Sequence, residues 1–150
     1  MNNIEKVVRI LEKKNRTIAT MESCTGGYLV NAITNIPGAS KVLKYSAITY
    51  NNDFKIKMGV QKDIITTYGV YSMETARDMA KNISVFANSD YGVGITGIID
   101  KEAYICIYEK DSNNYHNLYI TLQEKIRMEN KNIIVNNVIN KLIEILRIDN

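Results

Sequence analysis

The segment Thr20-Met21-Glu22-Ser23-Cys24-Thr25-Gly26-Gly27-Tyr28-Leu29-Val30 decides how the rest of this chain is read. Residues 17–21 before it have the composition of a short buried strand, and residues 28–33 after it place apolar side chains at helical spacing. The small polar stretch between them is then a strand-to-helix turn, which in an α/β protein opens at the carboxyl edge of the sheet where ligands bind. Ser23 and Thr25 bring two hydroxyls to that turn, and Gly26 and Gly27 remove side chains that would obstruct a ligand. Free backbone N–H groups there can hold an anion or a developing oxyanion. The plainer alternative is a capped helix start, with Ser23 or Thr25 as N-cap.

Working outward, residues 3–14 carry Ile4, Val7, Val8 and Leu11 in the pattern of an amphipathic helix. The helix after the turn is expected over residues 25–34, followed by a loop at 35–40 that holds Pro37. Residues 41–50 alternate and are rich in β-branched and aromatic types, which predicts a strand. Short helices follow, one containing Phe54, Ile56 and Met58, another over 61–68. Ser72, with Thr75 three residues on, is expected to cap a strong helix buried through Met73, Ala76, Met79, Ala80 and Ile83. A strand at 91–96 contains Gly92 and Gly94, suited to close packing, and strands at 103–109 and 115–122 read as a hairpin around residues 110–114. A last helix is expected over about 125–146. Strand–helix alternation closed by a hairpin predicts α/β architecture in three layers, α/β/α, around a mixed, mostly parallel sheet. With no linker or repeat, one domain over residues 1–150 is the expectation.

Bulk properties narrow the function. A net charge of +3 with scattered basic residues gives no case for nucleic acid. No apolar run approaches the roughly 20 residues needed to span a bilayer, so no membrane association is expected. The opening residues lack a signal-peptide core, which makes cytoplasmic the default location. Cys24 and Cys106 lie far apart and form no metal-type pair. His116 is the single histidine, so a Ser-His-Asp triad has poor support, and a serine nucleophile here would need another base, with lysine the obvious candidate.

Three strand ends finish in polar residues: 22–27, then 49–55, then 94–97. As parallel neighbours they would converge on one crevice. The motifs Glu22-Ser23-Cys24-Thr25-Gly26-Gly27, Thr34-Asn35-Ile36-Pro37-Gly38-Ala39-Ser40, Thr49-Tyr50-Asn51 with Lys55, Gly69 with Ser72 and Arg77-Asp78-Met79-Ala80, and Gly94-Ile95-Thr96-Gly97-Ile98 follow one another along the chain. In that order they resemble the C-terminal domain of the competence-damage-inducible (CinA-type) family, whose stand-alone versions are nicotinamide-nucleotide amidases. The resemblance implies hydrolysis of the carboxamide of nicotinamide mononucleotide to nicotinate mononucleotide and ammonia. It also implies an α/β/α fold, no metal or organic cofactor, and a homodimer. It makes Ser23 the nucleophile and Lys55 the catalytic lysine, with Tyr50 and Thr96 assisting. Glu22, Thr25, Gly26, Gly27, Asn51, Gly97 and Arg127 then become substrate-binding candidates, Arg127 for the phosphate.

Other readings stand beside these. Glu22 is equally suited to accepting hydrogen bonds from turn N–H groups. Cys24 reads as inert packing. Lys55 taken alone reads as a solvated helix lysine, Arg77 as an ion-pair partner, and His116 as idle. Two departures from the family pattern are plain. Arg127 lacks the family's usual Gly-Asp before it, and the Ala-Gly-Pro-Gly-Gly loop after Thr96-Gly97-Ile98 is replaced by Ile99-Asp100-Lys101-Glu102. A domain that keeps the fold but is catalytically silent, binding a nucleotide or a partner protein, is the alternative function.

Overall fold

A computed structural model describes residues 1–123 and 126–148. Helix α1 (Asn3–Lys14) leads into strand β1 (Ile18–Glu22) and helix α2 (Tyr28–Thr34). A 3₁₀ turn (Ala39–Lys41) precedes β2 (Leu43–Ile48), and α3 (Asn52–Lys57), α4 (Lys62–Tyr68) and α5 (Met73–Ala87) follow. The chain then runs through β3 (Tyr91–Ile98), β4 (Glu102–Glu109), β5 (Asn114–Thr121) and α6 (Arg127–Ile148). The five strands form one sheet in the order β2-β1-β3-β4-β5. β1 pairs parallel with both β2 and β3, while β4 runs antiparallel to β3 and to β5. This is the α/β fold with a mixed, mostly parallel sheet that the strand pattern implied.

Side-chain alternation sorts the two faces. Val93 and Ile95 of β3 and Ile105 and Ile107 of β4 point into a core shared with α1, α2 and α6. Ala19 and Met21 of β1 point the other way, toward Met79 and Ile83 of α5. Gly92 and Gly94 let α5 lie almost on the backbone of β3. A Cβ on Gly94 would stand 2.3 Å from the Ala76 carbonyl and 2.7 Å from the Ala80 nitrogen, both backbone atoms that cannot swing aside. Ser72 caps α5 by accepting the Thr75 N–H, as its spacing predicted.

Local differences have local causes. The strand expected over 41–50 is shorter because Gly38, at φ 87°, turns residues 39–41 into a 3₁₀ coil. Arg77 makes no ion pair among the described residues; its guanidinium lies over the Tyr115 ring at 4.2 Å, joining α5 to β5. His116 Nε2 lies 3.3 Å from Glu109 across the hairpin. The expected start of the last helix at Lys125 lies outside the described residues. No helix among those described is long and apolar enough to cross a membrane.

The contact between β3 and α5 gives a direct test. Gly94→Ala is expected to destabilise the fold by about 2–3 kcal/mol, the usual cost of forcing a methyl into a packed backbone interface, measured by denaturant unfolding against the parent.

Candidate active site

Sheet register places the three polar strand ends at one level. Glu22 stands opposite Ile48 of β2 and Ile95 of β3, so Ser23, Thr49 and Thr96 each follow the last shared rung. Two further backbone bonds lock the level: Ser23 N–H to the Ile95 carbonyl (3.1 Å) and Thr49 N–H to the Glu22 carbonyl (2.8 Å). β1 is the strand from which the chain leaves to one side through β2 and returns on the other through β3. Its carboxyl end is therefore the switch point where α/β sheets open a crevice. A cavity of about 230 Å³ lies there, lined by Ser23, Cys24, Tyr50, Asn52, Lys55, Val70, Tyr71, Gly97, Ile98, Ile99 and Arg127.

The nucleophile turn is organised by Glu22. Its carboxylate is fully buried and accepts the Leu29 N–H (3.0 Å), the Val30 N–H (2.9 Å) and the Thr25 hydroxyl (2.6 Å). Of the two roles open to Glu22, these bonds correspond to the acceptor for turn N–H groups, and its side chain does not line the cavity. The expectation that Ser23 or Thr25 caps α2 is corrected. Gly27 holds the N-cap position at φ 96°, and Glu22, not a hydroxyl, meets the first N–H groups of the helix. A side chain at Gly27 would also strike Ile48 at 2.9 Å. With Glu22 and Thr25 bonded to each other, Ser23 is left as the hydroxyl facing the cavity. The Gly26 N–H returns to the Ser23 carbonyl and the Tyr28 N–H to that of Thr25, which leaves the N–H groups of Thr25 and Gly27 without an acceptor among the described residues.

Lys55 is the largest departure from local expectation. A lysine in a short helix reads as solvated, yet this one is only 1% exposed. Its Nζ lies 2.9 Å from Ser23 Oγ and donates to the Thr49 carbonyl at 2.6 Å. Asn51 makes this possible by capping α3 through the Asp53 N–H, which aims the helix so that position 55 points inward. Among the described residues no carboxylate stands within ion-pair distance of the Lys55 amine. Burial therefore lowers its pKa from the ordinary 10.5. Burial acts oppositely on Cys24, pushing its thiol up to about 11, so that this residue is a neutral wall beside Ser23.

The remaining candidates divide. Tyr50 stands at the rim, 64% exposed, and its hydroxyl accepts from Arg127 at 3.4 Å. Thr96 is fully buried and donates to the Val70 carbonyl at 3.0 Å, so it fixes the Val70–Tyr71 wall from behind and does not face the cavity. Asn51 likewise supports from outside, whereas Asn52 beside it lines the cavity. Gly97 lines the floor near Ile98 and Ile99. Gly26 is exposed at the turn, beside the Lys131 amine of α6. Asn52, Val70, Tyr71 and Lys131 carried no motif that sequence reasoning could have seized. Among the described residues no group of three or more His, Cys, Asp or Glu is placed to hold a metal ion.

Comparisons with known proteins identify the family and the fold. A family model described as the CinA C-terminal domain matches residues 2–146. A CinA-like protein of Kosmotoga olearia is 45% identical over 95 residues, 63% of this chain but only 23% of that protein, so the chain spans about a quarter of the length of such relatives. Among solved structures, a CinA superfamily protein from Klebsiella pneumoniae superposes with a TM-score of 0.90 at 17% identity, over 98% of this chain and 99% of that one. The competence/damage inducible protein CihA from Agrobacterium tumefaciens gives 0.81 at 27% identity, over 98% and 97%.

The buried amine predicts a measurable effect on stability. Because the folded-state pKa of Lys55 is lowered, the unfolded chain holds that proton more tightly, and stability rises with pH as the penalty is relieved. The penalty is full below the folded-state value and gone above the unfolded one. Lys55→Met is thus expected to raise the thermal midpoint at pH 7 by about 2–4 °C, the scale of one mildly stabilising change in a domain of this size. The gain over the parent should shrink toward pH 10, as read by calorimetry at both pH values.

Proposed function

Because this chain belongs to the CinA C-terminal domain family, and because its Lys55 amine lies 2.9 Å from the Ser23 hydroxyl in a site without a histidine, we propose that it is an amidohydrolase acting on the carboxamide of nicotinamide mononucleotide. The Ser23–Lys55 contact is the observation that carries this reading. Neutral Lys55 takes the Ser23 proton while Oγ attacks the amide carbon, forming a C–O bond and a tetrahedral oxyanion. The N–H groups of Thr25 and Gly27 are the candidate donors to that oxyanion. Collapse breaks the C–N bond, and the Lys55 ammonium returns the proton to the departing amine, releasing ammonia and leaving an ester on Ser23. Water, deprotonated by the again neutral Lys55, attacks the ester. The ester C–O bond breaks as the Lys55 ammonium returns a proton to Ser23 Oγ, and the acid formed on the nucleotide gives its proton to ammonia, leaving nicotinate and ammonium, so no external reactant beyond water is consumed.

Tyr50, at the rim, fits a role in holding the departing ammonia. The resemblance also implies a homodimer. One observation favours the silent-domain reading: Arg127, the candidate phosphate ligand, is already engaged by Asp100 at 3.6 Å.

Ammonia release from nicotinamide mononucleotide decides between them. The parent should turn over, with a rate that rises with pH to an inflection below 10.5, since the lysine must be neutral to act. Ser23→Ala and Lys55→Ala should each lose about 10³-fold or more. Folded parent protein that releases no ammonia at high concentration would favour the silent domain.

A further inference from the structure

Resting on the amidase reading, we propose that Asp100 is a positioning residue that occupies Arg127 in place of a substrate phosphate. In this role it biases the site toward nicotinamide nucleosides over the corresponding mononucleotides. Arg127 stands on the first turn of α6 and lines the cavity. One guanidinium nitrogen lies 3.6 Å from Asp100 Oδ2, and another donates to the Tyr50 hydroxyl at 3.4 Å, so Arg127 links the lining residue Tyr50 to Asp100, which contacts Arg127 from outside the lining. Among the described residues, the cations lining the cavity are Lys55 and Arg127. Lys55 is committed deep in the site, which leaves Arg127 as the rim cation, and Asp100 balances its charge. A phosphate arriving at Arg127 would bring its negative charges close to the Asp100 carboxylate and meet repulsion as well as attraction.

The placement of Asp100 is built into the fold. It sits in the short β3–β4 turn, closed by the Lys101 N–H on the Ile98 carbonyl (2.8 Å). That turn is tied to α6 by Asn130, fully buried, whose Nδ2 donates to the Ile99 carbonyl (2.9 Å) and the Gln123 carbonyl (3.0 Å). The same bonds that seat α6 therefore hold Asp100 against Arg127. Both partners are about half exposed, 56% and 48%, so water screens the pair and the bias is a matter of about tenfold instead of absolute exclusion.

The test uses the reaction products, which bind without turnover. Calorimetry gives dissociation constants for nicotinate mononucleotide and nicotinate riboside with the parent, Asp100→Asn, Asp100→Glu and Asp100→Asn combined with Arg127→Gln. Asp100→Asn is expected to tighten the mononucleotide about tenfold relative to the riboside. Asp100→Glu should restore the parent ratio, and the gain should vanish when Arg127 is also removed. An unchanged ratio, a gain that persists without Arg127, or mononucleotide binding by none of the variants overturns the proposal. So does a ratio that responds to Lys131→Gln and not to Asp100→Asn, which would place the phosphate at the Gly26 turn. Ammonia assays separate the two levels. A shifted ratio without ammonia release defeats the amidase reading alone, and ammonia release with an unshifted ratio defeats this one alone.

Discussion

A lysine amine held out of water against a serine hydroxyl is the contact on which the rest of this structure bears. Nothing local to residue 55 favours it: the amine gives up hydration and gains only the Thr49 carbonyl and Ser23 Oγ in return. The contact persists because three parallel strands end at one level. Their register, Glu22 opposite Ile48 and Ile95, brings residues 23 and 49 together, and the bonds of Lys55 to Ser23 Oγ and the Thr49 carbonyl tie residue 55 to both. The same burial that makes the site costly to fold is what weakens the hold of Lys55 on its proton.

Glu22 is the counterpart of that constraint. A buried carboxylate one residue before the serine would compete for the amine if it were free. Instead it is spent on the Leu29 and Val30 N–H groups and the Thr25 hydroxyl. One side chain thus fixes the angle at which α2 leaves the turn, neutralises the helix start, and keeps negative charge away from Lys55. Positive φ at Gly27 lets the chain bend back over this carboxylate without a side chain striking Ile48. Division of labour continues outward, with Thr96 and Asn51 holding walls and helices from behind while Tyr50 and Arg127 stand at the rim.

Much of the fold was legible because it rests on short-range patterning. The i, i+3, i+4 apolar positions of α1, the Ser72 cap, the paired glycines under α5 and the hairpin turn are each set by residues within a few positions of one another. The convergence of three strand ends could also be reasoned from the order of elements. What stayed hidden depends on distant partners. Burial of Lys55 follows from the strand ends around it, toward which the Asn51 cap aims its helix. The acceptor role of Glu22 was one of two readings open in the sequence, and its reach of eight residues to the Val30 N–H favours it only in the fold; the Asp100–Arg127 pair joins a shortened turn to the start of the last helix. The extra charge at Asp100 was visible in the sequence, but its partner was not, because tertiary contacts, the bonds of Asn130 and the packing of Ile99 against α6, bring the two elements together.

The claim at the centre of this account is that Lys55 is buried beside Ser23 with its proton loosened, and its own titration tests that most directly. Nitrogen-15 NMR of the lysine side chains, with Lys55 assigned by its loss in Lys55→Met, follows the amine through pH. The account predicts an inflection below the ordinary lysine value of 10.5 and a resonance that shifts when Ser23 is replaced by alanine. A Lys55 that titrates at or above 10.5, indifferent to Ser23, would contradict it.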